Sequence, residues 1–209
     1  MASPWVWSAA AHRYRNTITG RFIGHAEMVG LRDVYTSAKM QQAASLASRL
    51  AAHEISLSDW HSSMRESVKN SFIDQYVLGH GGRATMTQAD WGRVGAMCKE
   101  QYKYLDGFAQ AIEQGSLTEG QIRARSGLYQ EASTQAFERG NAYARGLPRL
   151  PYYPGDGSTQ CLTNCRCHWD IRESASGGWD CYWIMDPAAE HCPDCIDRAA
   201  ENAPLHVGA

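Results

Sequence analysis

Six of the chain's seven cysteines fall between Cys161 and Cys195, and that clustering limits the fold more than any other feature. A segment this short holds too little apolar surface to support itself by burial alone, so thiols this dense act as staples. The staple is either a metal ion or a set of disulfides. The start of the chain has no secretory layout, since Trp5 and Trp7 precede any positive charge and the apolar run is short. Thiols that meet a reducing cytoplasm stay reduced, which favours the metal.

The spacing then suggests ligands. Cys161 and Cys165 share a short loop, while Cys192 and Cys195 form a CxxC pair around Pro193 and Asp194. Proline suits a first helical turn, so the second pair straddles a helix start. A short loop and a helix N-terminus are the usual halves of a tetrahedral structural zinc site. The expected ligands of one structural Zn2+ are therefore Cys161, Cys165, Cys192 and Cys195, with Cys167 in reserve. From Cys165 onward Cys167, Trp169 and Ile171 alternate with Arg166, His168, Asp170 and Arg172, the pattern of a half-buried strand. Trp179, Cys181, Trp183 and Met185 mark the inward face of a returning strand, which places Cys181 in the core. Residues 161–209 thus read as a zinc-stapled β-hairpin followed by a helix.

Residues 33–147 read as a helical body. Trp60, Met64, Val68, Phe72 and Tyr76 recur every four residues behind an expected N-cap at Ser58, and the run stops at Gly79-His80-Gly81-Gly82. Thr87 with Asp90 opens a second helix, whose apolar face includes Cys98, a small buried hydrophobe by this reading. Thr118 with Gln121 opens a last helix that runs to about Arg145. His53, His61 and His80 are polar-flanked and expected in solvent. Pro148, Pro151 and Pro154 make residues 148–160 an extended linker. The fold class expected is mainly α: an elongated helical bundle, head included, followed by the small stapled module.

Charge is unevenly spread. The net charge is −2, which excludes a basic nucleic-acid coat, and hydrophobic residues at 44% argue against wholesale disorder. Residues 1–32 carry Arg13, Arg15, Arg21 and Arg32 against Glu27 alone, a basic N-terminal arm. Its Trp5, Trp7 and Tyr14 among Arg13, Arg15 and Arg21 are candidate partner-binding residues. The tail is acidic, which counts against a zinc-stabilised nucleic-acid-binding module. No stretch approaches the ~20 apolar residues of a membrane span, so no membrane partner is expected.

Catalytic patterns are weak. His25-Ala26-Glu27 and the later CxxC resemble a zinc deaminase signature, but His191 stands before Cys192 where that signature has proline. His53-Glu54 has Leu57 where a zinc-protease helix needs histidine. A zinc-dependent hydrolase or deaminase stays as the alternative. The expectation is a protein that is not an enzyme.

Leu150-Pro151, Pro154-Gly155-Asp156-Gly157-Ser158 and Cys161 through Asn164-Cys165-Arg166-Cys167 together resemble the C-terminal signature of phage Mu F-like head morphogenesis proteins. His191-Cys192-Pro193-Asp194-Cys195 with Arg198-Ala199 is similar to a segment of phage minor head proteins. Arg13-Tyr14-Arg15-Asn16 and Thr19-Gly20-Arg21-Phe22-Ile23 resemble an N-terminal stretch of such proteins. The motifs cover about a third of the chain. The resemblance implies a minor head protein of a tailed phage, assembled in the host cytoplasm and carried in the virion in multiple copies. Its implied partners are the portal or major capsid protein and packaged DNA.

Overall fold

The computed structural model describes residues 4–147 and 149–208. Pro148 of the expected linker, the first three residues of the expected arm and Ala209 of the tail lie outside them. Helices dominate. Among the described residues none is long and apolar enough to cross a membrane.

Three long helices build the body: α1 (His25–Ala51), α2 (Leu57–His80) and α3 (Gln88–Glu113). At 1.5 Å per residue α1 is about 40 Å long, and the bundle is correspondingly elongated. The four-residue stripe on α2 is its inner face: Trp60, Met64, Val68, Phe72 and Tyr76 are all fully buried. Val94, Cys98, Leu105 and Phe108 of α3 meet it from one side. Thr87 caps α3 and Thr118 caps α4 (Glu119–Glu131), each with its hydroxyl accepting from the backbone N–H three residues on. For α2 the cap is Ser56 rather than Ser58, because Asp59 completes a reciprocal box with Ser56.

The last helix of the body is two. After α4 the chain bends into α5 (Thr134–Ala144). The Ser133 hydroxyl donates to Gln130 O at 2.6 Å and the Thr134 hydroxyl to Glu131 O at 2.8 Å. Such back-bonding competes with the helical ladder and bends it. The bend lets α4 pack along α1 and α5 along α2.

The α2–α5 contact is unusually close and depends on two glycines. A Cβ on Gly79 would lie 2.0 Å from Phe137 O, and one on Gly140 would lie 2.4 Å from Tyr76 O. Only backbone stands there, so no rotamer change relieves the clash. Gly140→Ala is expected to lower stability by about 3 kcal/mol, the upper end for overpacking a tight site. Gly107→Ala on α3, where a Cβ meets nothing within 4 Å, should instead raise it by up to about 1 kcal/mol. Urea titration of both variants checks the pair; equal midpoints would refute the close-approach account.

The head is helical only in part, and it is not a free arm. Trp5–Ser8, Arg13–Asn16 and Phe22–Ile23 are strands β1, β2 and β3 of an antiparallel meander, and α1 begins at His25, eight residues before Asp33. Its alternation has period two: Tyr14 and Ile23 point inward, while Arg13, Arg15 and Phe22 point out. The sheet seats on the end of the α2–α5 pair. Trp7 N donates to Gly81 O at 2.9 Å, and the Tyr14 hydroxyl donates towards Gly79 O and Asn141 Oδ1.

The tail holds strands β4 (His168–Glu173), β5 (Trp179–Ile184) and β6 (Leu205–Val207) in an antiparallel sheet, with helix α6 (Pro193–Glu201) between the last two in sequence. The third strand goes beyond the expected hairpin. Residues 150–160 are no spacer either, since Leu150 and Tyr153 are buried in the tail's core beside Trp169 and Cys181. Tail and body meet at a buried ion pair. Arg32 Nη1 of α1 lies 2.7 Å from Glu138 Oε1 of α5, and Glu138 Oε2 accepts from Trp169 N of β4 at 3.1 Å.

Candidate metal centre

Two loops deliver the cysteines. The first is built on Asp156, whose carboxylate accepts from Tyr153 N at 2.8 Å and Ser158 N at 2.9 Å. That turn leads into a short 3-10 turn after Cys161, and Cys165 follows in extended conformation. The second loop ends at α6, where Cys192 is the N-cap, Pro193 opens the first turn and Cys195 stands three residues on. Side chains clamp the loops together. Asp194 accepts from Gln160 N at 2.8 Å, and Arg198 donates to Ser158 O at 2.8 Å.

The clamp brings five sulfurs into one cluster. Cys161 Sγ lies 3.7 Å and Cys165 Sγ 3.6 Å from Cys195 Sγ. Thiolates held at about 2.3 Å around one tetrahedral zinc stand about 3.8 Å apart, so these separations already match tetrahedral edges. Cys161, Cys192 and Cys195 form one mutually close trio, and Cys165, Cys167 and Cys195 form another. All four expected ligands and the reserve therefore lie close together, with Cys195 the member common to both trios. Cys98 and Cys181 are buried elsewhere in apolar packing, which pushes each thiol up to about 11. All seven cysteines are free.

Within the cluster the protons are shared unequally. The Cys167 thiol donates to Cys165 and, with further hydrogen bonds, pulls it down to about 5, while Cys167 itself is raised. Burial pushes Cys161 up to about 11. A soft divalent cation takes the place of thiol protons when it binds such a cluster.

One further donor was not singled out from the sequence. His191 Nδ1 lies 3.8 Å from Cys167 Sγ, and its Nε2 is 2.7 Å from Asp186 O. A carbonyl can only accept, so Nε2 carries the proton and Nδ1 keeps its lone pair facing the sulfurs. Metal-ligating histidines are commonly oriented in this way.

The catalytic candidates at the head have other tasks. Glu27 is the N-terminal cap of α1: its Oε2 accepts from Gly24 N at 3.1 Å and its Oε1 pairs with Arg21. His25 is packed between the rings of Phe137 and His168. Burial, then the neighbouring His168, Arg145 and Arg32, lowers its pKa to about 3. His80 is also buried, stacked on Tyr76 and 3.4 Å from Asp90, where solvent was expected.

The sign of the His25 effect follows from linkage. Its folded pKa lies below the unfolded value of 6.5, so below that pH the unfolded chain binds the extra proton. Stability is fully present above about pH 6.5 and is lost as pH falls toward the folded value. His25→Phe keeps the ring and removes the titration. Between pH 6.5 and 4.5 it should lose about 2 kcal/mol less stability than the wild type. Equal losses in paired urea titrations would show that His25 takes up its proton in the folded state.

Of the candidate partner-binding residues, Tyr14 is withdrawn by its complete burial. Trp5 and Trp7 are half-buried; Trp7 lies edge-on to Tyr14 and carries the Arg145 guanidinium over its ring at 4.2 Å. Arg13, Arg15 and Arg21 are exposed. Beside them Phe22 and Ile18 are open to solvent, at 42% and 83% exposure, and sequence reading did not select them. Phe22 stands on the outer face opposite Arg15, a register that only the folded sheet displays. No family model matches the chain, and comparisons with curated proteins and with solved structures find no match.

Proposed function

We propose that the chain is a structural head protein of a tailed phage, working by protein–protein binding, with its C-terminal module held by zinc. The observation that carries the reading is the meeting of two motifs distant in sequence. The Pro154–Ser158 turn with Cys161 through Cys167, and the His191–Cys195 segment with Arg198, form one unit clamped by Asp194 and Arg198. Both carry the resemblance to phage minor head proteins.

Zinc would be held by Cys161, Cys165, Cys192 and Cys195, a four-thiolate set suited to a structural rather than a catalytic role. The groups offered by the deaminase pattern support the same reading, since Glu27 is a helix cap and His25 is buried beside Phe137. The docking face toward the portal or major capsid protein is the outer side of the head sheet, which carries exposed Arg13, Arg15 and Phe22, with exposed Ile18 and Arg21 in the turn beside it. Exposed arginines together with exposed apolar side chains suit a protein anchor and reach for packaged DNA as well.

Complementation in the phage that encodes the chain tests this. Particles should contain the protein by mass spectrometry. The combined variant Arg13→Ala, Arg15→Ala, Arg21→Ala should yield fewer filled particles while its circular dichroism stays native. Glu27→Gln should fill particles normally. Particles lacking the protein, or a Glu27→Gln defect with a normal arginine variant, would overturn the structural reading.

A further inference from the structure

A cleft of about 700 Å³ opens where helices α3, α4 and α5 meet the loop that leads to the cysteines. That volume falls in the range of binding clefts. Its lining gathers Tyr104, Leu128 and Leu162, large apolar side chains left 60%, 38% and 57% exposed. Leu162 stands there on a left-handed backbone, φ 52°, which a bulky residue rarely adopts. Arg125, Arg139 and Arg149 line the same cleft. Arg125 lies over the Phe108 ring and Arg139 over Tyr153, and Arg139 Nε is buried without an acceptor. Among the described residues none of the three arginines meets an acid within ion-pair distance. Two acids share the lining. Asp156 is committed to Tyr153 N and Ser158 N, which leaves Glu100 against three cations.

The complementary surface is on α6. Its Cys195 turns inward to the cysteine cluster, while Ile196, 51% exposed, stands outward with Asp197 and Glu201. Those two acids are four residues apart and so share a face, and exposed Glu190 precedes the helix. Among the described residues none of these three carboxylates has an ion-pair partner. The helix C-terminus adds its partial negative charge beside Glu201. Cleft and helix are joined through one loop: Gly155 and Leu162 line the first, while Ser158 and Gln160 bond Arg198 and Asp194 of the second. A chain that carries both surfaces can pair with itself about a two-fold axis.

We infer that this cleft receives helix α6 of a second copy of the chain, in a two-fold dimer that seats Ile196 among Tyr104, Leu128 and Leu162 and sets Asp197 and Glu201 against Arg125 and Arg149. The inference goes beyond the head-protein reading and leaves the outer side of the head sheet free for another partner. Opposite charge steers and orients the two copies, and Ile196 supplies the apolar anchor.

Sedimentation velocity of the full chain, kept reduced and followed over a concentration series, tests the dimer. The wild type should dimerise at low salt, with its Kd rising as salt is added. Arg125→Glu with Arg149→Glu, and separately Asp197→Lys with Glu201→Lys, should each raise that Kd at least about 100-fold by setting like charges together, with circular dichroism unchanged. Mixing the two variants should restore a dimer. In the mixture the unaltered cleft meets the unaltered helix, and the reversed cleft meets the reversed helix. A wild type that stays monomeric at every concentration would overturn the inference, and so would a dimer that both variants retain. Failure of the mixture to dimerise would unseat the pairing of cleft with helix. A monomeric wild type whose cleft variant alone is lost from phage particles would give the cleft to a different protein and overturn the second copy.

Discussion

If the module holds zinc as proposed, stripping the metal from the reduced protein at pH 7 is expected to unfold residues 150–207 and to leave helices α1–α5 in place. Structural zinc binding in small modules is worth about 10–16 kcal/mol at pH 7, more than most whole domains have to spare. The tail's own core is small: Tyr152, Trp169 and Trp183 stack on one another over the buried cysteines. Chelation should therefore erase the near-ultraviolet signal of these aromatics, while the helical signal loses only the nine residues of α6. Cys195→Ser should do the same without chelator, because Cys195 touches both loops of the cluster. Cys181→Ser should leave the metal in place. A metal-free protein with its near-ultraviolet spectrum intact would show that the aromatic core holds the module unaided.

The second large effect sits where the tail meets the body. Glu138→Ala leaves the Arg32 guanidinium, 1% exposed, facing a cavity, although Asp33 still pairs with its Nε. Removing one partner of a buried ion pair costs about 3–5 kcal/mol, and Trp169 N loses its acceptor as well. The expected loss is about 4 kcal/mol in urea titration. Burial lifts the Glu138 pKa to about 7, against the pull of Arg32, so the charge itself is poorly accommodated there. The double variant Arg32→Met, Glu138→Leu should therefore recover most of the loss. A double variant as unstable as Glu138→Ala would mean that the pair contributes net attraction rather than merely mutual compensation.

These two sites differ in how far the sequence disclosed them. The cysteine cluster was legible because CxxC, the neighbouring proline and the alternation after Cys165 are local patterns, each tied to one conformation. The same holds for the caps of α3 and α4. The Arg32–Glu138 pair was not legible, because its members are 106 residues apart and each alone resembles a solvated charge. His191 was hidden for a similar reason: only the fold brings the Asp186 carbonyl to its far nitrogen. The head was misread as helical because its strands are two to four residues long, too short for alternation to stand out. The start of α1 was set late because Gly24 offers no capping side chain, leaving Glu27 as the single signal.

The seat of the head sheet also bears on how the chain comes off the ribosome. Trp7 and Tyr14 precede α5 by about 120 residues, yet they close against Gly79, Gly81, Phe137, Asn141 and Arg145. At about 5–20 residues per second, α5 follows them on the order of ten seconds later. Through that interval the ribbon lacks Phe137, Asn141 and Arg145, the α5 side of its seat. A sheet made before the helices it rests on is thus among the last elements to be seated. A chaperone or assembly partner that engages the inner face of that ribbon must act before α5 emerges, since afterwards Tyr14 is sealed beneath it.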